Sequence, residues 1–303
     1  MTEFNVLGDS TQWQKDFEQR LRASYTAAGL GAAATERMVG DIRAGTGDWT
    51  VAGITDAGTR VGYVAVVVAG DDPFAGRIAD LHVEARHVGR GHEEAARDWA
   101  ERWCAERGAR RLDIRLIEPA GELFDDYGVR GQLRARHIGS PPQPVEGVTV
   151  RPMTQAEYPE WLASEKLAYV GDIVRAGATS PEDAARKSDD DFAKLIPEGL
   201  ATPETTLLVL EAAGERIGTG WLKHGHLPGA TYGYSLHIDE RYRGKGYGRA
   251  AMASGEQATL AAGDSVLMFT VWGGNEVAMS LYTSVGYRIV EEYRSLGLPR
   301  SVA

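Results

Sequence analysis

One stretch of the sequence, residues 235–249, combines an apolar strand, a glycine-rich turn and the first turn of a helix. Three glycines alternate in the turn, at Gly244, Gly246 and Gly248. Glycine adopts positive φ without steric penalty and leaves the neighbouring backbone N–H groups uncovered. Bare N–H groups at the positive end of a helix dipole bind anions. The stretch therefore predicts an anion site.

The same stretch concentrates positive charge in an acidic protein. Four basic residues fall at Arg241, Arg243, Lys245 and Arg249, although the net charge of the chain is -10. A phosphate-rich ligand is the simplest explanation for such a cluster. The turn is not a Walker loop, because no Gly-x-x-x-x-Gly-Lys-Ser/Thr is present. It is not a dinucleotide fingerprint either, since Arg249 stands where that motif needs its third glycine.

The spacing Arg-x-x-Gly-x-Gly, formed by Arg243, Gly246 and Gly248 after an apolar strand, resembles the acyl-CoA pyrophosphate loop of the GNAT N-acetyltransferase superfamily. A second segment resembles the closing segment of the same family. It consists of a buried strand at 266–271, then Asn275, Ala278, Leu281, Tyr282, Gly286 and Tyr287. The two segments occur in the family's order and at its separation.

The resemblance implies transfer of an acetyl group from acetyl-CoA to a primary amine, of a small molecule, by direct attack in a ternary complex. The family's fold separates the strand that ends at Ile238 from strand 266–271, and the thioester lies in the gap. Backbone N–H groups near Ile238 are then expected to hold the oxyanion. The implied cofactor-binding residues are Leu236, Ile238, Arg243, Gly244, Lys245, Gly246, Tyr247, Gly248, Arg249 and Asn275. For Asn275, capping of the last helix is an equally good explanation.

Tyr282 matches the family's general acid, which protonates the departing CoA thiolate. A phenol is a weaker acid than the thiol, so this proton transfer is modestly uphill. The alternative is a core tyrosine that packs against the sheet. Tyr127, at the equivalent place in the first half of the chain, is consistent with that alternative.

The general base is not evident from the sequence. Family members with a base on the strand that ends at Ile238 place it four or six residues earlier, where this chain has Tyr234 and Tyr232. A tyrosine with a pKa of about 10 is a poor base near neutrality. We therefore expect these two tyrosines to line the acceptor pocket or to hold a water that relays the proton.

Histidines offer little catalytic or metal-binding potential. His237 points away from the face that its two strand neighbours share, and its counterpart His82 is retained in the first half, so a structural role is favoured. His224 and His226 lie in a hairpin loop without a third ligand, and no metal site is predicted.

Composition limits the remaining classes of function. The chain has 303 residues, 43% of them hydrophobic and 25% charged, which fits a globular protein of about two domains. No secretory signal or membrane-spanning run is visible. Cys104 is the single cysteine, which favours a reducing cytoplasm. A sequence pI near 5.3 argues against nucleic acid as the main partner.

Periodicity and turn residues predict alternating helices and strands. The predicted helices cover 11–30, 32–44, 93–107, 154–176 and a segment that opens at Ser180-Pro181. The predicted strands cover 51–54, 61–69, 78–84, 112–116, 147–151, 206–211, 216–223, 231–238 and 266–271. A proline-rich linker at 140–147 separates a degenerate GNAT-like domain, 1–139, from a catalytic domain, 148–303. The expected fold is α/β (α+β), with two tandem GNAT domains that each have a central mixed, mostly antiparallel sheet flanked by helices.

The two halves of the chain repeat each other at an offset of 155 residues. Between 80–131 and 235–286, twelve of 52 positions are identical, including Gly89/Gly244 and Gly91/Gly246. Three positions that the site needs differ in the first half: Arg243 becomes Val88, Gly248 becomes Glu93 and Asn275 becomes Ala120. A carboxylate at Glu93 repels a pyrophosphate. We therefore expect the first half to be a structural or substrate-shaping partner that has lost its cofactor site.

Other interpretations remain open. Helix 154–176 carries a stripe of Glu165, Tyr169 and Asp172 opposite an apolar one formed by Ala163, Leu167, Val170 and Val174. A solvated surface is the favoured explanation of this stripe, and attraction of a cationic amine is the alternative. A non-catalytic acyl-CoA-binding or regulatory module and a protein N-acetyltransferase are the alternative functions. Two GNAT units in one chain could mimic the family's dimer, which points to a monomer.

Overall fold

The described helices and strands follow the same order in the two halves of the chain, except that the second half has an additional helix before its last strand. A computed structural model describes residues 1–68, 74–117, 121–175 and 179–298. The first half contains β1 (Thr2–Val6), α1 (Thr11–Ala27), α2 (Ala32–Arg43), β2 (Thr50–Asp56), β3 (Thr59–Val68), β4 (Ala75–Val83), α3 (His92–Glu106), β5 (Arg111–Leu116) and β6 (Gly128–His137). The second contains β7 (Val148–Pro152), α4 (Tyr158–Arg175), α5 (Pro181–Leu195), β8 (Thr205–Ala212), β9 (Glu215–Leu227), β10 (Ala230–Ile238), α6 (Tyr247–Ala261), β11 (Val266–Trp272), α7 (Glu276–Ser284) and β12 (Arg288–Gly297).

The strands form sheets with the same pairing pattern in two compact units. Unit 1 comprises residues 1–25, 36–129 and 291–303, and unit 2 comprises 26–35 and 130–290. The strand order is β1-β2-β3-β4-β5-β12 in unit 1 and β7-β8-β9-β10-β11-β6 in unit 2. In each unit the fourth and fifth strands in this order are parallel, and the other neighbouring strands are antiparallel. The predicted fold class, a mixed and mostly antiparallel sheet flanked by helices, is confirmed.

The last strand of each sheet comes from the other half of the sequence. β12, at the end of the chain, pairs with β5 in unit 1, and β6 pairs with β11 in unit 2. The division into 1–139, 140–147 and 148–303 therefore does not describe which residues share a unit. Composition and proline content reveal a linker but not the sheet that a strand joins. Residues 140–147 themselves contain no helix or strand, as predicted.

Most predicted elements are present, with ends shifted by a few residues. The predicted ends at Ala69 and Ala176 lie outside the described residues. Three strands have no counterpart in the prediction: β1, β6 and β12. β6 alternates small or apolar residues with Arg130, Gln132, Arg134 and Arg136, and the charged residues conceal its strand character. In unit 2 these residues are buried or paired, since Arg136 bonds Glu256 at 2.8 Å.

A glycine on the third strand of each sheet allows the fourth strand to approach closely. A Cβ at Gly62 would lie 2.2 Å from the carbonyl oxygen of His82, and a Cβ at Gly218 would lie 2.2 Å from that of His237. Neither glycine has positive φ. The two glycines are therefore required by space, and Gly218 keeps the end of β10 against β9.

We predict that Gly62→Ala and Gly218→Ala each destabilise the protein by about 1–3 kcal/mol, because backbone must move to admit the methyl group. Gly171→Ala is the control, since a Cβ there meets nothing within 4 Å in the middle of α4. Helix propensity makes the control neutral or slightly stabilising. Urea unfolding of the three variants measures the effect. Equal stability of Gly218→Ala and wild type would contradict the close approach.

Candidate active site

The parallel strands β10 and β11 separate and leave a cavity in unit 2. They pair only at Ala230–Tyr232 with Val266–Met268, although both strands continue beyond those residues. A cavity of about 310 Å³ is lined by 233–237 on one strand and by 269–272 on the other. Separated strands expose backbone groups that a continuous sheet would pair, so the gap offers N–H donors to a ligand.

Backbone N–H groups of β10 face this gap. The N–H of Asp239 bonds the carbonyl of Ile217 on β9 at 2.9 Å, on the other edge of the strand. Successive residues of a strand direct their N–H groups to opposite edges, so the N–H of Ile238 is directed away from β9. The register is regular from Ser235 to Ile238, which places the N–H of Leu236 on the same edge. Leu236 also lines the cavity.

The glycine-rich turn begins just after β10 and has an open backbone. Gly244 and Gly246 have φ of 73° and 86°, values that strain any residue with a side chain, and Gly246 is the N-cap of α6. In the described part of the chain, the N–H groups of residues 244–248 have no protein acceptor. Arg243 donates from Nε to the carbonyl of Ile238 at 2.9 Å and ties the turn to the strand end. The side chains of Arg243, Lys245 and Arg249 are exposed.

Gly248 has a different role from the other two glycines. It lies in the first turn of α6 and does not have positive φ, contrary to the expectation that all three glycines serve that purpose. A Cβ at Gly248 would lie 2.9 Å from Cδ2 of Leu281 on α7. Its small size therefore lets α6 and α7 approach each other. Tyr247, its neighbour, packs against Tyr242.

The equivalent turn of unit 1 keeps the backbone geometry but is filled by a side chain. Gly89 and Gly91 have φ of 75° and 84°, close to the values of Gly244 and Gly246. The N–H of Gly89 donates to Oε1 of Glu93 at 3.3 Å. The Glu93 carboxylate thus takes a donor that the matching turn of unit 2 leaves free. Ala120, the counterpart of Asn275, lies outside the described residues.

The hydroxyl group of Tyr282 is available in the cavity. Tyr282 lines the cavity and packs on Phe269, with ring centroids 4.4 Å apart. Within the described residues no side chain or backbone group bonds its hydroxyl. Burial raises the pKa of Tyr282 to about 12, so the phenol is protonated at neutral pH. Its counterpart Tyr127 is fully buried and donates to Glu101 at 3.0 Å. The two tyrosines therefore differ in whether the hydroxyl group is free to transfer a proton to a ligand.

Three other predicted site residues line the same cavity. The Asn275 side chain accepts the N–H of Ala278 at 3.2 Å and so caps α7. The hydroxyl of Tyr232 donates to Thr270 at 2.8 Å, whereas Tyr234 packs on Trp221 with centroids 4.6 Å apart. Ile238 does not line the cavity with its side chain, which packs in a core cluster.

Comparison with known proteins identifies the family. Residues 171–287 match the acetyltransferase (GNAT) family. An uncharacterized N-acetyltransferase of Bacillus subtilis, YycN, is 33% identical over 145 residues, which are 46% of this chain and 92% of that protein. The chain belongs to the GNAT acetyltransferase family. It is therefore an acyltransferase.

Other relatives extend over both halves of this GNAT chain. A mycothiol acetyltransferase of Nocardiopsis dassonvillei is 27% identical over 266 residues, 76% of each chain. A GCN5-related N-acetyltransferase from Sphaerobacter thermophilus has a similar fold, with a TM-score of 0.55 and 16% identity over 96% of this chain and 94% of that one. The GNAT-like fold thus extends over the first half as well.

Helix α4 presents its polar stripe to the GNAT cavity. The favoured interpretation of this stripe as a solvated surface is wrong for Glu165, which is 9% exposed; Tyr169 and Asp172 line the same cavity, although the Asp172 side chain is 37% exposed. Leu167, in the predicted apolar stripe, is 75% exposed. Trp161 and Ile173 fix this orientation by packing inward. Burying two large apolar side chains in the core stabilises this orientation of α4 more than burying the stripe of smaller apolar residues would.

Glu165 is a buried carboxyl group that has no cationic partner among the described residues. Ser235 Oγ and Trp161 Nε1 lie near it, but neither makes a hydrogen bond of ordinary geometry. Burial raises the pKa of Glu165 to about 6, and the nearby Asp172 adds to the effect. The other carboxylates of the cavity wall are paired, Asp172 with Arg175 and Asp191 with Lys187. One feature of the sequence indicates that Glu165 is buried: it is an acidic residue on a helix whose aromatic residues point inward.

The two histidines of the hairpin loop are engaged in contacts within the protein. Both ring nitrogens of His224 bond threonines, Thr206 and Thr231, and His226 packs on Tyr232. The described residues contain no group of three or more acidic, histidine or cysteine side chains able to hold a metal ion. Within the same residues, no helix is both long enough and apolar enough to cross a bilayer.

We predict that Glu165→Gln stabilises the protein at pH 7.5 by about 2 kcal/mol, because ionised Glu165 has lost hydration that the glutamine does not need. The folded protein holds the Glu165 proton more tightly than the unfolded chain, so this carboxyl costs stability as pH rises from about 4.5 to about 6. The gain should shrink by about half or more at pH 5. Urea unfolding at both pH values measures it.

Glu160→Gln on the same helix is the control, since the Glu160 side chain is 78% exposed. The control should show no gain at either pH. A Glu165→Gln protein no more stable than wild type at pH 7.5 would contradict the burial of a charged carboxylate.

Proposed function

We propose that the protein transfers the acetyl group of acetyl-CoA to a primary amine of a small molecule, by direct attack in a ternary complex. The observation that carries this proposal is the conjunction of an open glycine turn with a cavity that contains an unpartnered tyrosine hydroxyl. Unit 1 has the same turn with neither property, because Glu93 and Glu101 take up the corresponding groups.

The turn after β10 fits the pyrophosphate of coenzyme A. Free N–H groups of residues 244–248 and the N-terminus of α6 provide donors and a positive dipole end. Arg243, Lys245 and Arg249 add exposed positive charge around them. Asn275 faces the cavity from the start of α7, where it is placed to contact the pantetheine arm while it caps the helix.

Groups of this chain act on two atoms of the thioester, the carbonyl oxygen and the departing sulfur. Bound acetyl-CoA supplies an acetyl group activated as a thioester. The N–H groups of Leu236 and Ile238 stabilise negative charge on the carbonyl oxygen, because they face the gap without a strand partner. Tyr282 donates its proton to the departing sulfur. Tyr232 and Tyr234 line the acceptor side of the cavity.

Membership of an acetyltransferase family favours catalysis over a non-catalytic acyl-CoA-binding or regulatory module. A protein N-acetyltransferase is the remaining alternative, which acetylation of lysine peptides but not of free amines would support. The relatives named mycothiol acetyltransferases offer a second acceptor candidate, and it belongs in the same amine panel. We assign unit 1 a structural or substrate-shaping role. A monomer in the cytoplasm stays the proposed state, consistent with a single buried thiol at Cys104.

We predict that Tyr282→Phe lowers turnover by about 100-fold, the range expected for loss of a general acid. Acetyl-CoA affinity should stay within about 2-fold, because the phenyl ring still packs on Phe269. Release of free CoA thiol measures turnover, and calorimetry measures affinity. Tyr127→Phe is the matched control and should affect stability without affecting turnover. Unchanged turnover in Tyr282→Phe would leave Tyr282 as a packing residue.

We predict that Gly248→Glu, which copies Glu93, weakens acetyl-CoA binding by at least about 100-fold. The new carboxylate repels the pyrophosphate and competes for the N–H groups of the turn. Gly248→Gln has the same size and the same clash with Leu281 but no charge, so the difference between the two variants isolates the electrostatic effect. If Gly248→Glu binds acetyl-CoA as tightly as wild type, the diphosphate does not lie in this turn.

A further inference from the structure

We propose that Glu165 is the general base of the transfer, and that its cavity accepts a compact primary amine with an aromatic or apolar body. This inference rests on the proposed function and deepens it. Glu165 lies on α4, before the segment 171–287 that matches the family, so the match itself does not assign it a role.

The position of Glu165 suits a base. Its carboxylate lines the cavity beside Ser235, the residue that precedes Leu236 on β10. Glu165 and Leu236 line the same cavity, so the carboxylate borders the space from which an amine would reach a carbonyl carbon held near Leu236. Among the described residues the Glu165 carboxylate makes no ion pair, and it lines the cavity that a ligand would enter.

Other titratable groups of the cavity suit the role less well. Asp172 and Asp191 are neutralised by Arg175 and Lys187. Burial raises the pKa of Tyr234 to about 12, which keeps its hydroxyl protonated. The hydroxyl of Tyr232 is bonded to Thr270. These groups can shape the pocket, but they do not offer a free conjugate base near neutral pH.

His237 is the competing base. It lines the cavity from β10, and its Nε2 lies 3.6 Å from Oδ1 of Asp239. Burial lowers the pKa of His237 from its usual value, which favours the neutral ring. The titratable groups that line the cavity with Glu165 are Tyr169 and Asp172 on its own helix, Asp191 on α5, Tyr232, Tyr234 and His237 on β10, and Tyr282 on α7. Variants must separate Glu165 from His237.

Proton transfer balances with Glu165 and Tyr282 in these roles. Glu165 takes one proton from the bound ammonium, which leaves a neutral nitrogen with a free electron pair. That nitrogen forms the C–N bond to the acetyl carbon as the C–S bond breaks. Tyr282 gives its proton to the sulfur and recovers the proton that the new amide nitrogen loses. Glu165 then releases its proton to solvent, which accounts for the one proton produced per amide.

The cavity walls indicate the acceptor class. Aromatic side chains surround the acceptor side: Tyr169, Phe192, Trp221, Tyr232, Tyr234 and Trp272. Beside Glu165, the cavity offers two buried polar atoms without a partner, Ser235 Oγ and Trp221 Nε1. An acceptor with many hydroxyl groups would leave most of them unpaired against aromatic rings, which costs free energy. An amine with one cationic end and a ring or short alkyl body matches both the carboxylate and the aromatic faces.

The first experiment measures Glu165→Gln, His237→Asn and the exposed control Glu160→Gln across pH 5 to 9. Wild type should lose activity below about pH 6, where Glu165 is protonated. Glu165→Gln should lose turnover by at least about 100-fold with unchanged acetyl-CoA affinity, and its residual rate should lack that fall. His237→Asn and Glu160→Gln should keep that fall. If His237→Asn abolishes the fall and Glu165→Gln keeps it, His237 is the base and the proposal is overturned.

The second experiment compares kcat/KM for phenethylamine, butylamine, spermidine, glucosamine, kanamycin and a lysine peptide. Phenethylamine and butylamine should exceed the polyamine and the sugars by at least about 10-fold. Preference for glucosamine or kanamycin would overturn the acceptor class. Calorimetry with acetyl-CoA distinguishes failure of the proposed function from failure of the acceptor class. A protein that does not bind acetyl-CoA contradicts the proposed function. A protein that binds acetyl-CoA but prefers a different amine contradicts only the acceptor class.

Discussion

The separation of β10 from β11 after three paired residues is the constraint on which the site depends. A parallel pair that continued to its end would satisfy the N–H groups of Leu236 and Ile238 within the sheet and close the cavity. Two features keep the strands apart. Gly218 lets the end of β10 approach β9, and Arg243 ties the end of β10 to the turn that follows. The same pairing pattern in unit 1, where β4 and β5 pair only at Ala75–Ile78 with Arg111–Ile114, shows that the gap belongs to the fold.

The two units show how one backbone can carry or lack a ligand site. The φ angles of the paired glycines agree within a few degrees, so the turn survives in both. Among the differences is a side chain in the first turn of the helix, absent at Gly248 and a carboxylate at Glu93, and Arg243 is replaced by Val88. Because backbone N–H groups are identical in every residue, access to them decides whether the turn can bind an anion.

The cavity of unit 2 is lined by buried polar groups whose hydrogen-bonding capacity is not fully used within the protein. Among the described residues, Ser235 Oγ and Trp221 Nε1 are buried in unit 2 without a hydrogen-bond partner, and Glu165 is buried without an ion pair. Each costs stability in the free protein and is available to a ligand for that reason. In unit 1 the buried carboxylate of Asp80 is satisfied, because it accepts hydrogen bonds from both Arg20 and Trp13.

The sequence by itself determined the features that depend on local chemistry. Glycines at 244 and 246 and the N-caps Ser180 and Asn275 follow from backbone sterics and single hydrogen bonds, and the duplication follows from identity at a fixed offset. The resemblance to the family rested on residue types at fixed spacing in two short segments, the glycine-rich turn and the segment 266–287.

Tertiary structure decided the rest, because it depends on which residues meet across the fold. The exchange of β6 and β12 between sheets leaves no local trace, since a strand pairs with any compatible edge. The inward orientation of Glu165 was set by Trp161 and Ile173 in the core, against the apolar stripe around Leu167. The free hydroxyl of Tyr282 and the bonded hydroxyl of Tyr127 come from identical residues, and only their neighbours distinguish them.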